Sequence, residues 1–306
     1  MDSNTNNRLF DKRSDLISAI NAFVHIAFVL CPVYLAAVQG PGFSSVVFWL
    51  WCGLSINGLL NMMHECAHYH TFERRSWCDF LGRWILAPLF FADFDNYRDL
   101  HWEHHRSLGG EGDPKYTYKV SIKGAQFPLF VLQCLFGIEA LKKFGYLNKN
   151  RGLMNQTRSP FWLVRLAVTQ SIFLLSLLGA AYWSDPQELW WLWRAAFAYA
   201  FVYVYGVVSL TLFMATMRAI AEHQPGVDNP PLVGNAALRN LRCGHIGRLL
   251  LGCYGFAEHA THHRSPYIPS YHLVLATKEL SAGDQTLVPE LTYFGVLKQQ
   301  VVQPKS

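Results

Sequence analysis

Charged side chains are scarce in this sequence. Asp, Glu, Lys and Arg make up 15% of the 306 residues, whereas ordinary soluble domains contain about a quarter. Residues 16–38 and 43–63 contain no charged side chain, 161–183 contains only Arg165, and 189–217 contains only Arg194. Because about 20 apolar residues cross a bilayer, we predict an all-α integral membrane protein with these four stretches as transmembrane helices.

Paired cysteines are also absent. The seven cysteines are scattered, and no two form a C-x-x-C pair, so we expect small packing residues that stay reduced in the cytosol. No cleavable signal peptide is expected either. Residues 1–15 are polar, and the first apolar run is too long for the apolar core of such a peptide.

Positive charge is missing from two of the links between spans. Residues 39–42 carry no charge and 184–188 carry only acidic charge, while Lys and Arg concentrate in the other connections. The positive-inside rule then predicts two hairpins, with both termini and the segments 64–160 and 218–306 in the cytoplasm. Arg194 is the exception and is expected to snorkel to the interface.

The net charge of +5 therefore indicates membrane orientation and attraction to anionic lipid. Nucleic-acid binding is a poor explanation, because the basic residues do not gather on one soluble face. We expect residues 1–306 to form a single membrane domain whose cytosolic segments make a helical cap.

Histidine, in contrast, is concentrated. Eight of the thirteen histidines lie in three clusters, and a ninth, His223, stands alone between the second and third clusters. All nine fall on the predicted cytosolic side. A tetrahedral metal site takes four ligands, so nine are too many for one ion and predict one site with two metals. The candidate ligands are His64, His68, His101, His104, His105, His223, His259, His262 and His263.

The spacing of these histidines suits helices. His64 and His68 are four residues apart, and the second and third clusters each contain a pair three apart, so each pair shares a helix face. The fourth apolar stretch, 189–217, would be roughly 43 Å long as a helix, more than the hydrocarbon core of about 30 Å. We expect it to project from the membrane and carry Arg218 and His223 to the metal face.

The chain resembles the integral-membrane fatty acid desaturases and their hydroxylase relatives. The resemblance rests on the order H-x3-H, H-x2-H-H, H-x2-H-H with the spans between them. It extends to Gly112-Asp113-Pro114, to Arg218-Ala-Ile-Ala-Glu222-His223 and to the run from Ser265 to Leu273, and it covers about residues 43–273.

This resemblance implies two Fe²⁺ ions as cofactors and O2 as co-substrate. It implies a double bond introduced into a long acyl or alkyl chain, with electrons from a separate protein of ferredoxin, rubredoxin or cytochrome b5 type. Hydroxylation of a lipid or carotenoid is the alternative, because both outcomes need the same oxidant.

Two other classes of protein match parts of this sequence. The first cluster, His64-Glu-Cys-Ala-His68, matches the H-E-x-x-H helix of zinc proteases, but the L-D-G-type third ligand of the intramembrane enzymes is absent. A metal transporter would carry ionisable ligands near the bilayer midplane, where these spans hold almost none.

Each histidine element has an adjacent glutamate. Metal-bound histidines usually donate their other N–H to a carboxylate or carbonyl, and adjacent helix residues do not face each other. One hypothesis is that each glutamate orients a histidine of another cluster, with Arg218 nearby; the alternative is four solvated carboxylates. The glutamates are Glu65, Glu103, Glu222 and Glu258.

Overall fold

The chain is helical throughout the part that the computed structural model describes, residues 9–110, 112–114, 124, 126–149, 159–186, 189–223 and 234–302. Within these ranges the β-type pairings are two isolated bridges, His223 with Leu238 and Arg242 with Thr292. The predicted all-α class is therefore confirmed.

Short 3-10 and π-helical turns lie between some of the described α-helices. Single 3-10 turns lie at Gly234–Ala237, Cys253–Glu258, Ser270–His272 and Gln285–Leu287, and a π-helical turn at Leu81–Leu86 joins the third helix to the fourth. The helices are α1 (Asp15–Gln39), α2 (Ser44–Ala67), α3 (Arg75–Phe80), α4 (Ala87–Leu89), α5 (Phe94–Ser107), α6 (Gln126–Leu135), α7 (Ile138–Lys149), α8 (Trp162–Ser184), α9 (Trp190–Glu222), α10 (His245–Leu250), α11 (His259–Arg264), α12 (Leu273–Leu280) and α13 (Tyr293–Val302).

Four helices, α1, α2, α8 and α9, are long and apolar enough to cross a membrane, as predicted. Two run further than the apolar stretches: α2 continues to Ala67 and α9 to Glu222. The 33 residues of α9 would span at most roughly 50 Å at the rise of an α-helix, because Ala198–Tyr205 and Val207–Thr211 within it are π-helical. The prediction of a long fourth helix that carries Arg218 and leads to His223 is confirmed. The two-hairpin arrangement stays a prediction, and residues 187–188 of the second link lie outside the described ranges.

The spans pack around one apolar core, and α2 and α9 approach closely. A side chain at Gly53 would lie 2.7 Å from Leu210, and Thr211 Oγ1 donates to the carbonyl of Gly53 at 3.2 Å. This close packing brings the C-terminal ends of α2 and α9 together, and both ends carry candidate ligands. The core includes Val29, Val33, Ile56, Leu59, Leu177 and Val202.

Arg194 departs from the expectation that it snorkels. Its side chain is buried and donates to the carbonyls of Val38 at 2.9 Å and Ala181 at 2.7 Å. These carbonyls lie in the last turns of α1 and α8, where intrahelical partners run out. The several donors of one guanidinium therefore join two helix ends inside the protein, and reaching the interface is unnecessary.

Candidate metal centre

The first histidine cluster is carried by the end of α2. His64 lies in the last turn, and His68 is the C-cap residue, so the helix persists far enough to bring the two rings together, tilted by 57° with centroids 4.8 Å apart. The chain then turns sharply at Tyr69, which has a φ of 59°. That turn brings His70 back beside His68, and the two rings stack 5.4 Å apart.

The second cluster lies on α5, where helix geometry separates its three histidines. Asp93 caps the start of this helix by accepting from the backbone N–H of Asp95 at 3.0 Å. His101 and His105, one turn apart, meet with their Nε2 atoms 3.0 Å from each other. His104 points from a different part of the helix face, toward His223 and His263.

The remaining ligand candidates come from α9 and α11. His223 directly follows α9, and its Nδ1 atom lies 2.9 Å from the carbonyl oxygen of Ala219. That contact leaves Nε2 to face the Nε2 atoms of His104 at 3.3 Å and His259 at 3.4 Å. The third cluster occupies the short helix α11, with all three histidines buried.

All nine histidines converge, and they divide into two groups. Within each group, the candidate ligand atoms all lie within 4.8 Å of one another. Rings of the two groups touch, since His105 and His263 stack at 3.9 Å between centroids. The second and third clusters each contribute to both groups. The five-membered group is His64, His68, His101, His105 and His262, and the four-membered group is His104, His223, His259 and His263.

The donor set fits metal ions. Nε2 of His64 and both ring nitrogens of His263 are buried and have no hydrogen-bond partner among the described residues, and orphaned polar atoms of this kind are costly unless something binds them. Burial, and then repulsion from neighbouring imidazoles, holds the pKa of His263 well below its ordinary value. His263 is therefore neutral near pH 7, which is the form that ligates metals.

Two of the four glutamates contact candidate ligands. The carboxylate of Glu222 lies 3.8 Å from Nδ1 of His259, a histidine of another cluster, as hypothesised. Glu65 lies 3.5 Å from Nδ1 of His64, its neighbour in sequence, because the side chain folds back along the helix and accepts from the backbone N–H of Ser270.

The other two glutamates contact arginines. Glu103 is exposed and pairs with Arg106 at 2.7 Å, and Glu258 is buried and pairs with Arg248. Among the described residues neither carboxylate forms a hydrogen bond or ion pair with a histidine, so the geometry favours solvation for Glu103 and a structural ion pair for Glu258. Arg218 lies 3.4 Å from Glu222, with its guanidinium 3.9 Å from the ring centroid of Phe256.

Asp113 is a contact that sequence reasoning did not assign. Its Oδ1 atom lies 2.8 Å from Nδ1 of His104, and both side chains are fully buried. The second oxygen accepts from the backbone N–H of Gly109 at 2.9 Å. The Gly112-Asp113-Pro114 motif marked this residue, but its partner is set by the loop after α5. Tyr293, also unassigned from sequence, lies 3.0 Å from Glu222 through its hydroxyl.

Comparison with known proteins adds an independent finding. A model of the fatty acid desaturase family matches residues 41–294. The chain is 24% identical over 295 residues to an sn-1 oleoyl-lipid 12-desaturase from Synechocystis sp., covering 88% of this chain and 77% of that protein. It is 21% identical over 263 residues to an sn-1 oleoyl-lipid 12-desaturase from Anabaena variabilis, and the match covers 79% of this chain and 70% of that protein. A Delta(9) fatty acid conjugase-like enzyme from Dimorphotheca sinuata is 24% identical to this chain over 272 residues, and the match covers 82% of this chain and 70% of that protein.

Proposed function

Because this chain belongs to the fatty acid desaturase family, we propose that it is a membrane-bound, O2-dependent di-iron enzyme that introduces a double bond into a long acyl chain. Family membership makes it an oxidoreductase of lipid metabolism. The observation that carries the finer proposal is the division of nine converging imidazoles into groups of five and four, since each group offers enough nitrogens for one ion.

In this proposal each group holds one iron. Bound iron would supply the redox chemistry that activates O2. The chain's own residues hold neutral imidazoles in place and exclude water, because every one of the nine is buried or half-buried. Asp113 and Glu222 fix ring orientation by holding the Nδ1 sides of His104 and His259. Outer partners of this kind set ligand geometry and raise ligand basicity.

The H-E-x-x-H reading loses support in this arrangement. A protease would need Glu65 to face a metal-bound water as general base, but its carboxylate accepts from Ser270 and lies beside the Nδ1 atoms of His64 and His70. The transporter reading loses support as well. The two histidine groups lie at the ends of α2 and α9 and not at their middles.

The stoichiometry of desaturation by O2 requires a source of two electrons. A CH2–CH2 unit loses two hydrogens while O2, two electrons and two protons complete the formation of two waters. We propose that a separate ferredoxin, rubredoxin or cytochrome b5-type protein supplies the electrons, and that the histidines and both termini face the cytoplasm. The positive-inside pattern of the loops supports that orientation. The relatives' names make an oleoyl chain esterified to a lipid the first substrate to try.

The test is expression in a host that makes oleoyl lipids but no dienes, followed by mass spectrometry of the lipids and iron analysis of the purified protein. We expect a new double bond and about two irons per chain on the two-group reading. His262→Ala should lose the product, whereas His272→Ala, outside both groups, should keep it. A hydroxylated chain would assign the protein to the hydroxylases, and stoichiometric zinc under iron-replete expression would contradict the di-iron proposal.

A further inference from the structure

The segment 246–254, which contains most of α10 and the turn after it, is attached to two membrane-spanning helices. The side-chain amide of Asn57 donates to the carbonyl of Leu250, and that of Asn61 donates to the carbonyl of Cys253, both at 3.0 Å. The hydroxyl of Tyr254 lies 2.8 Å from Nδ1 of His25. The segment is thus hydrogen-bonded to α1 and α2, although it lies outside all four spans.

The depth of these contacts can be read along the helices. Asn57 lies seven residues before His64 on α2, roughly 10 Å further toward the middle of the span. His25 lies ten residues after the start of α1 at Asp15, roughly 15 Å along that helix. With a hydrocarbon core of about 30 Å, the partners of Leu250 and Tyr254 lie within the apolar part of the bundle.

The contacts with the segment 246–254 explain why the apolar helix α2 contains Asn57 and Asn61. Non-helical backbone at membrane depth is tolerated only where protein groups satisfy its carbonyls, and the chain leaves helical geometry at Tyr254, with a φ of 55°. Asn57 and Asn61 supply the required donors. Gly58 makes room for His25, since a side chain there would approach the imidazole to 2.5 Å.

The outer face of α10 is apolar and uncovered. Ile246 and Leu249, three residues apart and so on one face, are 75% and 67% exposed. Arg248 is the only Asp, Glu, Lys or Arg in the segment, and it is paired with Glu258 at 3.1 Å. An ion-paired charge and outward apolar side chains are the arrangement expected of a segment in contact with lipid.

We propose that residues 246–254 form a re-entrant segment that dips into the bilayer from the histidine side, with Ile246 and Leu249 in contact with lipid acyl chains. The segment continues directly into the turn Cys253–Glu258 and then into α11. The third histidine cluster is thereby anchored to the membrane-spanning helices. This inference depends on membrane insertion of α1 and α2 and is independent of the reaction catalysed.

Nitroxide labels in lipid nanodiscs test the proposal. Ile246→Cys and Leu249→Cys are labelled in the full-length protein, with Lys278→Cys on the exposed side of α12 as the control and the labelled wild type to subtract the native cysteines. We expect the ratio of O2 to nickel-complex collisions at the first two positions to exceed that at Lys278 severalfold. Nickel accessibility at both positions equal to that at Lys278 would overturn the proposal.

A cysteine-independent measurement keeps the proposal testable if either variant inserts poorly. A benzophenone amino acid at Leu249 is irradiated in the nanodisc and the protein is analysed by mass spectrometry. Phospholipid adducts at Leu249 that are absent when the same group replaces Lys278 would support the re-entrant segment. Recovery without any lipid adduct at Leu249 would place α10 in water and overturn it.

Discussion

Nε2 of His223 lies 3.3 Å from Nε2 of His104, although 119 residues separate the two in sequence. His223 stands outside all three clusters and reaches this position because α9 runs on to Glu222. Its Nδ1 atom is held by the carbonyl of Ala219, which fixes the ring with Nε2 toward the four-membered group.

His223→Ala should therefore remove about one of the two proposed irons and abolish product formation. The four-membered group would be left with only three imidazoles to hold its ion. Iron analysis and lipid mass spectrometry measure both effects, with His272→Ala as the matched control. Near-normal iron and product in His223→Ala would make it an ordinary buried histidine and leave eight ligands.

Asp113→Asn should weaken metal binding while the protein still inserts. The change keeps the shape of the side chain but removes the charge that holds Nδ1 of His104, and losses of such outer partners typically cost 10–100-fold in metal affinity or activity. Competition with a chelator, followed by iron analysis, measures the shift in affinity. An unchanged chelator midpoint would show that the loop alone positions His104.

Glu222→Gln and Glu103→Gln separate the two classes of glutamate. Glu222 is buried against His259, whereas Glu103 is exposed and pairs with Arg106. We expect reduced iron occupancy for Glu222→Gln and wild-type occupancy for Glu103→Gln, because exposed ion pairs contribute only about 0–1 kcal/mol. Full occupancy in both variants would argue against any role of Glu222 in holding ligands.

Tyr254→Phe should lower thermal stability. The change removes the hydroxyl beside Nδ1 of His25, and the loss of a hydrogen bond between half-buried groups costs about 0.5–1.5 kcal/mol. Thermal unfolding in detergent gives the shift, and Tyr267→Phe, at a residue that is 70% exposed, serves as the matched control. Equal melting temperatures for the two variants would contradict the importance of this contact.

Arg194→Lys should also destabilise the bundle. The guanidinium reaches carbonyls at the ends of both α1 and α8, and one ammonium group cannot reproduce that planar, multi-donor geometry. We expect a loss of about 1–3 kcal/mol per orphaned buried group, measured as a lower melting temperature. Arg74→Lys, at a side chain that is 74% exposed, should melt like the wild type.

The elements that sequence predicted best are those set by local pattern. Uninterrupted apolar runs define a membrane helix without tertiary information, and the four spans were placed within a few residues except where α2 and α9 run on. Eight of the nine candidate histidines were likewise identifiable from their spacing, because a helix turn brings residues three or four apart onto one face. His223 was suggested instead by the length of the fourth helix.

The parts that sequence could not supply depend on distant packing. Spacing alone separates His104 from His101 and His105 on α5, but the group that each histidine joins depends on where α9 and α11 lie. The partner of Asp113 depends on a loop, and Arg194 was misjudged because its acceptors come from two other helices. The acceptor of the Asn57 side chain, the carbonyl of Leu250, likewise comes from a segment 193 positions further along the chain.

Helix α5 contributes histidines to both groups and therefore constrains the distance between them. His104 and His105 are consecutive residues that belong to different groups, so the separation between the centres of the two histidine groups depends in part on about 100° of helix rotation, which is one residue at 3.6 residues per turn. A tilt or rotation of α5 would move both centres in concert. Because α11 also contributes histidines to both groups, the spacing between them depends on two rigid helices, which loop movements elsewhere would alter less easily.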